Sequence, residues 1–205
     1  MIGDKIIITN QDKKRAKKLL SRILSLPSKS IIAIGGGSGT HKSELAICLQ
    51  EELYKKNKLS LMVSLDDYYK IHFNFRNEER KNKGIKSVGK QEIDWSSIKT
   101  IIKKFKKGNK LFLQIINKYT NSFMLETIDS RGIDYLIIEG LYTNYLRQFK
   151  LCNLCIHLEG TPKQTLKFRK KRAKEDEDDS FRKKVVEKEY QEVLKLRKYV
   201  DVIFC

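Results

Sequence analysis

A run of glycines lies between an apolar segment and a helical pattern, and it sets strong limits on the fold of this chain. Residues 30–34 are rich in isoleucine and end abruptly at three glycines, residues 35–37. From residue 45 to residue 53, apolar side chains recur at the spacing of one helix face. Residues 59–65 form the next apolar run. The pattern predicts a buried strand, a tight loop, a helix and a second strand, which together form one βαβ unit.

The remaining segments continue this alternation and predict an α/β fold. Residues 1–30 contain a leading helix, and apolar strands are predicted at residues 135–139, 151–158 and 200–204. A charged helix is predicted over residues 181–197. We therefore expect one domain over residues 1–205, with a parallel sheet of about five strands and helices on both faces.

A flap is predicted to interrupt the alternation between residues 70 and 128. Residues 70–93 are polar with little periodicity, which predicts a loop or mobile segment over the site. Asp94 or Ser96 caps a predicted helix that Gly108 ends. Two apolar runs separated by Thr120 and Asn121 then predict a hairpin that projects from the main sheet.

Charge and composition indicate which classes of partner, such as nucleic acid or a membrane, the chain binds. The formal net charge is +18, from 43 Lys and Arg against 25 Asp and Glu, and the lysines are spread over many segments. We interpret this spread as compositional bias and expect no nucleic-acid partner. No apolar run reaches membrane-spanning length and no secretory pattern begins the chain, so we expect a cytoplasmic protein without a membrane partner. A homo-oligomer is left open.

The four cysteines predict no disulfide framework. Cys152 and Cys155 form a C-x-x-C pair near His157, but no second pair completes a zinc site. Because the segment has the pattern of a buried strand, we expect these cysteines to pack in the core.

The glycine loop carries the chemistry of a phosphate cradle. Glycines let the backbone wrap closely around phosphate oxygens, and the following helix directs its N–H groups at an anion. Lys42 would reach the β and γ phosphates, and the Ser43 hydroxyl would bind Mg²⁺. The motif usually has glycine immediately before the lysine, where this chain has a histidine that could alter the loop or contact phosphate. We expect ATP or GTP to bind at Gly36, Gly37, Ser38, Gly39, Thr40, His41, Lys42 and Ser43.

Two acidic residues follow predicted strands and are candidates for catalysis and metal binding. Asp66 ends the second strand, where a carboxylate near the γ-phosphate can accept the proton of a substrate hydroxyl. Glu139 ends another apolar strand and can hold the metal directly or through water. Alternatively, Asp66 is a helix cap or turn residue and Glu139 faces solvent.

Basic residues near the end of the chain predict a lid over residues 162–180. Arg169 and Arg172 lie on one face of a helix and can neutralise charge on the transferring phosphoryl group. The alternative is a solvated basic face. We expect the acidic residues 175–179 to form an exposed turn without chemistry.

With these residues in view, the chain resembles the uridine kinase family, which belongs with phosphoribulokinase and pantothenate kinase among the P-loop kinases. The resemblance covers residues 30–204. It rests on the loop with Lys42 and Ser43, the Asp66-Asp67-Tyr68-Tyr69 segment, Glu139 with Gly140, and the lid arginines. It implies a P-loop kinase fold and a nucleoside-like small-molecule substrate phosphorylated with Mg²⁺.

The resemblance also suggests contacts to that substrate. Asp66 matches the family's catalytic base, Asp94 could hold sugar hydroxyls, and Tyr119 could stack a base, with Tyr69 beside them. The family hairpin has an aspartate that is absent after Tyr119, and the lid lacks its Gly-Arg pair. The 5′-hydroxyl of uridine or cytidine is the leading acceptor. Pantothenate, a sugar or another small alcohol is an alternative, as is a nucleotide- or RNA-binding protein without turnover.

Overall fold

The computed structural model describes residues 2–172 and 176–205. Within these ranges the chain forms a five-stranded sheet and a separate two-stranded hairpin, which confirms the predicted fold class. The helices and strands, in chain order, are α1 (Asn10–Leu24), β1 (Ser30–Gly36), α2 (Lys42–Tyr54), β2 (Ser60–Ser64), α3 (Phe73–Lys83), α4 (Trp95–Lys106), β3 (Lys110–Asn117), β4 (Ser122–Asp129), β5 (Tyr135–Glu139), β6 (Leu154–Leu158), α5 (Pro162–Arg172), α6 (Ser180–Leu194) and β7 (Val202–Phe204).

The main sheet brings the ends of three strands to one edge. Its order is β2-β5-β1-β6-β7, and all neighbouring strands are parallel. In this register Ile34 and Ser64 lie on either side of Glu139. Residues that follow β1, β2 and β5 therefore meet at the carboxyl edge of the sheet, where open α/β sheets bind ligands.

Two hydrophobic cores cover the two faces of the sheet. On one face, Ala16 of α1 and Leu49 of α2 pack against the sheet, and both are fully buried. On the other face, Ile98 and Ile102 of α4 pack with Leu111 of β3. Parallel strands covered on both faces carry apolar side chains in both directions, which explains the continuous isoleucine runs of β1 and β5.

The loop predicted for residues 70–93 was wrong, because α3 occupies Phe73–Lys83. The nitrogen Nδ1 of His72 accepts the Asn74 amide at the start of this helix. Two short 3₁₀ turns, Ile85–Ser87 and Lys90–Glu92, follow it. The only residue of α3 that is fully buried is Arg80. The helix therefore lacks an apolar face, which is the feature that predicts a helix from the sequence.

The hairpin was predicted correctly and lies outside the main sheet. Strand β3 packs its buried face on the α4 side of the molecule, whereas β4 is largely exposed. Strands β6 and β7 each begin later than predicted, at Leu154 and Val202. Among the described residues, no helix is both long enough and apolar enough to cross a membrane.

A disulfide joins Cys152 and Cys155, which the sequence did not predict. Cys152 lies in the turn before β6 and Cys155 lies within the strand, so their Cα atoms are 6.6 Å apart. The turn is held by Asn153, whose side-chain oxygen accepts the Ile31 amide at 2.9 Å. This Cα separation lies within the range that a disulfide spans.

Candidate active site

The glycine loop runs from the end of β1 into α2 and has little room for side chains. At Gly39 the φ angle is +78°, and an added Cβ would lie 2.7 Å from Cγ of Arg169. At Gly36 an added Cβ would overlap the carbonyl oxygen of Leu158. The loop therefore needs glycine at both positions, as a backbone that wraps closely around an anion does.

His41 takes the place of the usual glycine and adopts a left-handed conformation with a φ of 69°. Its Nδ1 lies 3.1 Å from a carboxylate oxygen of Asp12, and its ring stacks on Phe168 with centroids 3.7 Å apart. Burial opposes ionisation of Asp12, but hydrogen bonds from His41 and Thr9 hold the pKa of Asp12 below its ordinary value. The histidine thus connects the loop to α1 and α5.

Two polar side chains of the loop, Thr40 and Lys42, bind the carbonyl of Gly37. The Lys42 ammonium donates to the Gly37 carbonyl at 2.7 Å, and the Thr40 hydroxyl donates to the same carbonyl at 2.9 Å. Desolvation lowers the pKa of Lys42, while the nearby carboxylates of Glu139 and Asp66 oppose that shift. Lys42, the cation predicted to bind the phosphates, therefore lies close to both Asp66 and Glu139.

Strand register places Glu139 beside the end of β2. The Ser64 hydroxyl donates to Oε1 of Glu139 at 2.6 Å, and the Asp66 amide approaches the Ser64 oxygen at 3.3 Å. Ser64 thereby fixes the turn that carries Asp66 relative to Glu139. This contact depends on the pairing of β2 with β5, which a sequence read in one dimension does not show.

The two neighbouring aspartates have different surroundings. Asp66 is half-buried and lines the pocket at the carboxyl edge of the sheet. Asp67 is buried, and its Oδ1 accepts the Ile116 amide of β3 at 2.9 Å. Burial raises the pKa of Asp67. Asp67 therefore fastens the hairpin to β2, while Asp66 faces the pocket.

Both predicted lid arginines line the same pocket. Arg169 is buried, and its Nε donates to Glu177 at 2.8 Å while its Nη1 donates to Thr165 at 2.6 Å. Nε of Arg172 is shielded from solvent and has no hydrogen-bond partner among the described residues. The acidic run 175–179 was predicted to be an exposed turn, which is wrong for the buried Glu177. Residues 173–175 of the predicted lid lie outside the described residues.

Several charged residues of the pocket were missed by sequence reasoning. Arg80 forms a bidentate pair with Glu92, at 2.7 and 2.9 Å, and also approaches Glu189 of α6 at 3.2 Å. Arg76 lies one turn earlier on α3, and this i, i+4 spacing was the available signal. The pocket is lined by Ser38, Gly39, Lys42, Ser43, Asp66, Tyr69, Arg76, Arg80, Glu139, Leu141, Arg169, Arg172, Glu177, Arg182 and Glu189.

The three predicted substrate residues are not brought together. Tyr69 is buried and lines the pocket. Asp94 is absent from the lining of that pocket and caps α4, accepting the Ser97 hydroxyl at 2.6 Å and two helix amides. Tyr119 is 82% exposed beside the hairpin turn. Only Tyr69 of this set therefore lies beside Asp66 and Lys42.

The residues predicted to hold a metal fit a magnesium ion that is bound together with phosphates. Ser43 and Glu139 both line the pocket. Among residues 2–172 and 176–205, no group of three or more His, Cys, Asp and Glu is placed to hold a metal by itself. Magnesium at phosphate-transfer sites takes one or two protein ligands and completes its shell with water and substrate phosphates. A hydroxyl and one carboxylate match that donor set.

Comparison with known proteins assigns the class that the fold and the pocket define. The profile of the phosphoribulokinase / uridine kinase family matches residues 31–192. The chain belongs to this family, which confirms the resemblance drawn from the sequence.

The relatives of this chain are kinases named for different substrates. The chain is 28% identical over 189 residues to a bifunctional alpha-galactosidase/sucrose kinase from Mediterraneibacter gnavus, covering 86% of this chain and 20% of that protein. It is 28% identical over 137 residues to a uridine kinase from Mycoplasma pneumoniae, covering 66% of this chain and 63% of the relative. The phosphoribulokinase of Rhodobacter spheroides shares the fold, with a TM-score of 0.65, 13% identity and coverage of 86% of this chain and 70% of that chain. The chain thus spans less than two thirds of either curated relative.

Proposed function

We propose that this protein transfers the γ-phosphoryl group of ATP or GTP to a hydroxyl group of a small molecule. One observation carries the proposal: the candidate base Asp66 lines the same pocket as Lys42, Ser43 and Glu139. A cradle for a triphosphate and a carboxylate that can accept a proton are the two parts that transfer to an alcohol requires.

On the donor side, the loop and Lys42 would hold the nucleotide phosphates. The loop amides and the start of α2 would bind phosphate oxygens, and Lys42 would exchange its contact with the Gly37 carbonyl for the β and γ phosphates. Magnesium, held by Ser43 and Glu139, would supply neutralisation of phosphate charge. Arg172, whose Nε has no partner among the described residues, is positioned to do the same from the lid.

On the acceptor side, Asp66 would orient the hydroxyl and take its proton. As the acceptor oxygen forms its bond to the γ-phosphorus, the bond from that phosphorus to the β–γ bridging oxygen breaks and the nucleoside diphosphate leaves. The proton passes from the hydroxyl to the Asp66 carboxylate. Lys42 is close enough to Asp66 for the two charges to interact, so the Lys42 ammonium would lie beside the carboxylate as it orients the hydroxyl.

The acceptor predicted from the sequence is the 5′-hydroxyl of uridine or cytidine. The name of the Mycoplasma pneumoniae relative supports a nucleoside. The name of the sucrose kinase, whose similarity covers more of this chain, supports a sugar as a second candidate. The placement of Asp94 and Tyr119 outside the pocket lining gives the nucleoside no added support.

Phosphoryl transfer from γ-labelled ATP with Mg²⁺ tests the proposal. The panel contains uridine, cytidine, pantothenate, hexoses and sucrose, with GTP as the second donor. We expect label to move to a hydroxyl of at least one acceptor and to require Mg²⁺. Binding of ATP without transfer to any hydroxyl compound would contradict the proposal and favour a binding protein without turnover.

A further inference from the structure

Arg76 of α3 has a guanidinium group whose hydrogen-bonding edge is unused. Its Nε and Nη2 atoms are shielded from solvent and have no hydrogen-bond partner among the described residues. The guanidinium carbon lies 3.5 Å from the centre of the Tyr69 ring, and both residues line the pocket. Because a shielded N–H group without a partner is unfavourable, such a group in a pocket points to a ligand.

Arg80, on the same helix, shows which kind of group the Nε and Nη2 atoms of such an arginine bind. Its Nε and Nη2, the same two atoms, bind the two carboxylate oxygens of Glu92 at 2.7 and 2.9 Å. These two N–H groups point in parallel and match the spacing of two oxygens of a carboxylate or phosphate. Two arginines one turn apart therefore present the same fork, and among the described residues only the fork of Arg80 binds a side chain of this protein.

Sheet order places Arg76 on the side of the pocket away from the glycine loop. Strand β2 lies at the edge of the sheet and is separated from β1 by β5. With strands about 4.8 Å apart, the ends of β2 and β1 are roughly 10 Å from each other. Tyr69 follows the end of β2, and the charges close to its hydroxyl include Arg76 and Asp66. Arg172, in contrast, acts on Lys42 of the loop.

We propose that the acceptor carries a carboxylate or phosphate group that Arg76 binds through its Nε and Nη2 atoms. This inference rests on the proposed function, since it assigns the acceptor of the same pocket. Stacking on Tyr69 holds the guanidinium plane, so the fork is already oriented toward an oxyanion. The substrate class is therefore a small hydroxy acid or the phosphate ester of a polyol, with its anionic group at Arg76 and its reacting hydroxyl at Asp66.

Matched pairs of acceptors that differ in one anionic group test this inference. The probes are D-gluconate with D-glucitol, D-ribose 5-phosphate with D-ribose, and pantothenate with pantothenyl alcohol, while uridine serves as a neutral nucleoside. Transfer is measured by kcat/KM with ATP and Mg²⁺, and binding is measured by titration calorimetry in the presence of ADP. The variants are Arg76→Leu, Arg76→Lys and the control Arg131→Leu, whose exposed arginine pairs with Asp129 by the hairpin.

The wild-type protein should prefer at least one anionic probe to its neutral partner by tenfold or more. Arg76→Leu should raise KM or Kd for that probe by about 10- to 100-fold and leave KM for ATP within about twofold, as expected for a lost charge-assisted pair. Arg76→Lys should restore only part of the affinity because lysine lacks the fork. The pair that shows the preference distinguishes a carboxylate from a phosphate.

Three results would overturn the inference. They are equal or better use of the neutral partners, an Arg76→Leu effect on KM for ATP alone, and failure of every anionic probe to bind. Equal transfer to neutral acceptors would leave the proposed function intact. Arg76-dependent binding of an anion without transfer to any hydroxyl would instead count against the proposed function and leave the anion site in place.

Discussion

The two sides of the pocket are built in different ways. We call residues 36–43 with Arg172 the donor side, and Asp66, Tyr69 and Arg76 the acceptor side. The donor side is one continuous loop in which Gly36 and Gly39 approach neighbouring chain too closely for a side chain. The acceptor side combines a strand end with a helix, α3, whose one fully buried residue is Arg80. Backbone defines the first side, and pairs of charged side chains define the second.

This difference suggests how the family supports several substrates on one fold. A loop whose shape depends on glycine tolerates few changes, whereas a polar helix can exchange side chains without losing a hydrophobic face. We therefore expect variants on the donor side to affect nucleotide binding and variants on the acceptor side to affect stability or acceptor choice.

Lys42→Ala should affect the donor side most strongly. Loss of the ammonium that would contact the β and γ phosphates should weaken ATP binding and lower kcat/KM by on the order of 10²-fold or more. Calorimetric titration with ATP and steady-state kinetics measure both effects. The control is Lys55→Ala, an exposed lysine at the far end of α2. Wild-type ATP affinity in Lys42→Ala would remove the loop as the nucleotide site.

Arg80→Leu and Arg76→Leu should separate the two arginines of α3 by stability. Removing Arg80 leaves Glu92 and the buried Glu189 without this cation, so the free energy of unfolding should fall by about 3 kcal/mol. Removing Arg76 breaks no ion pair among the described residues and removes only its stacking on Tyr69, so its effect should be within about 1 kcal/mol. Urea unfolding followed by circular dichroism measures both. Equal destabilisation would contradict the distinction between a structural and a ligand-binding arginine.

His157→Gln should change how stability depends on pH. Burial on β6 lowers the pKa of His157 from 6.5 to about 4. Between these values the unfolded chain binds a proton that the folded protein does not, so wild-type stability falls as pH drops from 6.5 to 4. Relative to the glutamine variant, the loss between pH 7 and pH 4.5 should be about 2 kcal/mol. Unfolding at pH 7, 5.5 and 4.5 measures this difference, and parallel curves for the two proteins would contradict it.

Asp94→Ala should have the smallest effect and decide the role of this residue. As the N-cap of α4 it accepts two helix amides and the Ser97 hydroxyl, so its loss should cost about 1 kcal/mol of stability. If Asp94 serves only as a helix cap, the variant should leave KM for the acceptor unchanged. A tenfold rise in that KM, measured once an acceptor is known, would instead support the predicted contact with substrate hydroxyls.

The donor side could be predicted because its residues are consecutive. Strand, glycine loop and helix follow one another, and each has its own pattern in the sequence. The Lys42 and Ser43 positions need no knowledge of distant contacts. The same is true of Asp66 and Glu139, because Asp66 follows an apolar strand and Glu139 ends one, and the ends of these strands mark the edge of the sheet.

The acceptor side could not be predicted in the same way. Helix α3 has no apolar stripe, and the partners of Arg80 are 12 and 109 residues away in sequence, at Glu92 and Glu189. Glu177 lies within an acidic run that looks exposed, yet it is buried between Arg169 and Arg182. Burial of a charged side chain depends on its partner, and the partner becomes evident only in the folded chain.

Asp66→Asn, compared with the wild-type protein for both nucleotide binding and transfer, tests whether Asp66 is the base. If Asp66 accepts the proton of the acceptor across from the loop, the variant should keep its ATP affinity within about threefold while kcat falls on the order of 10²-fold or more. Titration with ATP and transfer from labelled ATP to the acceptor found in the panel give the two numbers. Unchanged kcat in Asp66→Asn would contradict the role of Asp66 as the base.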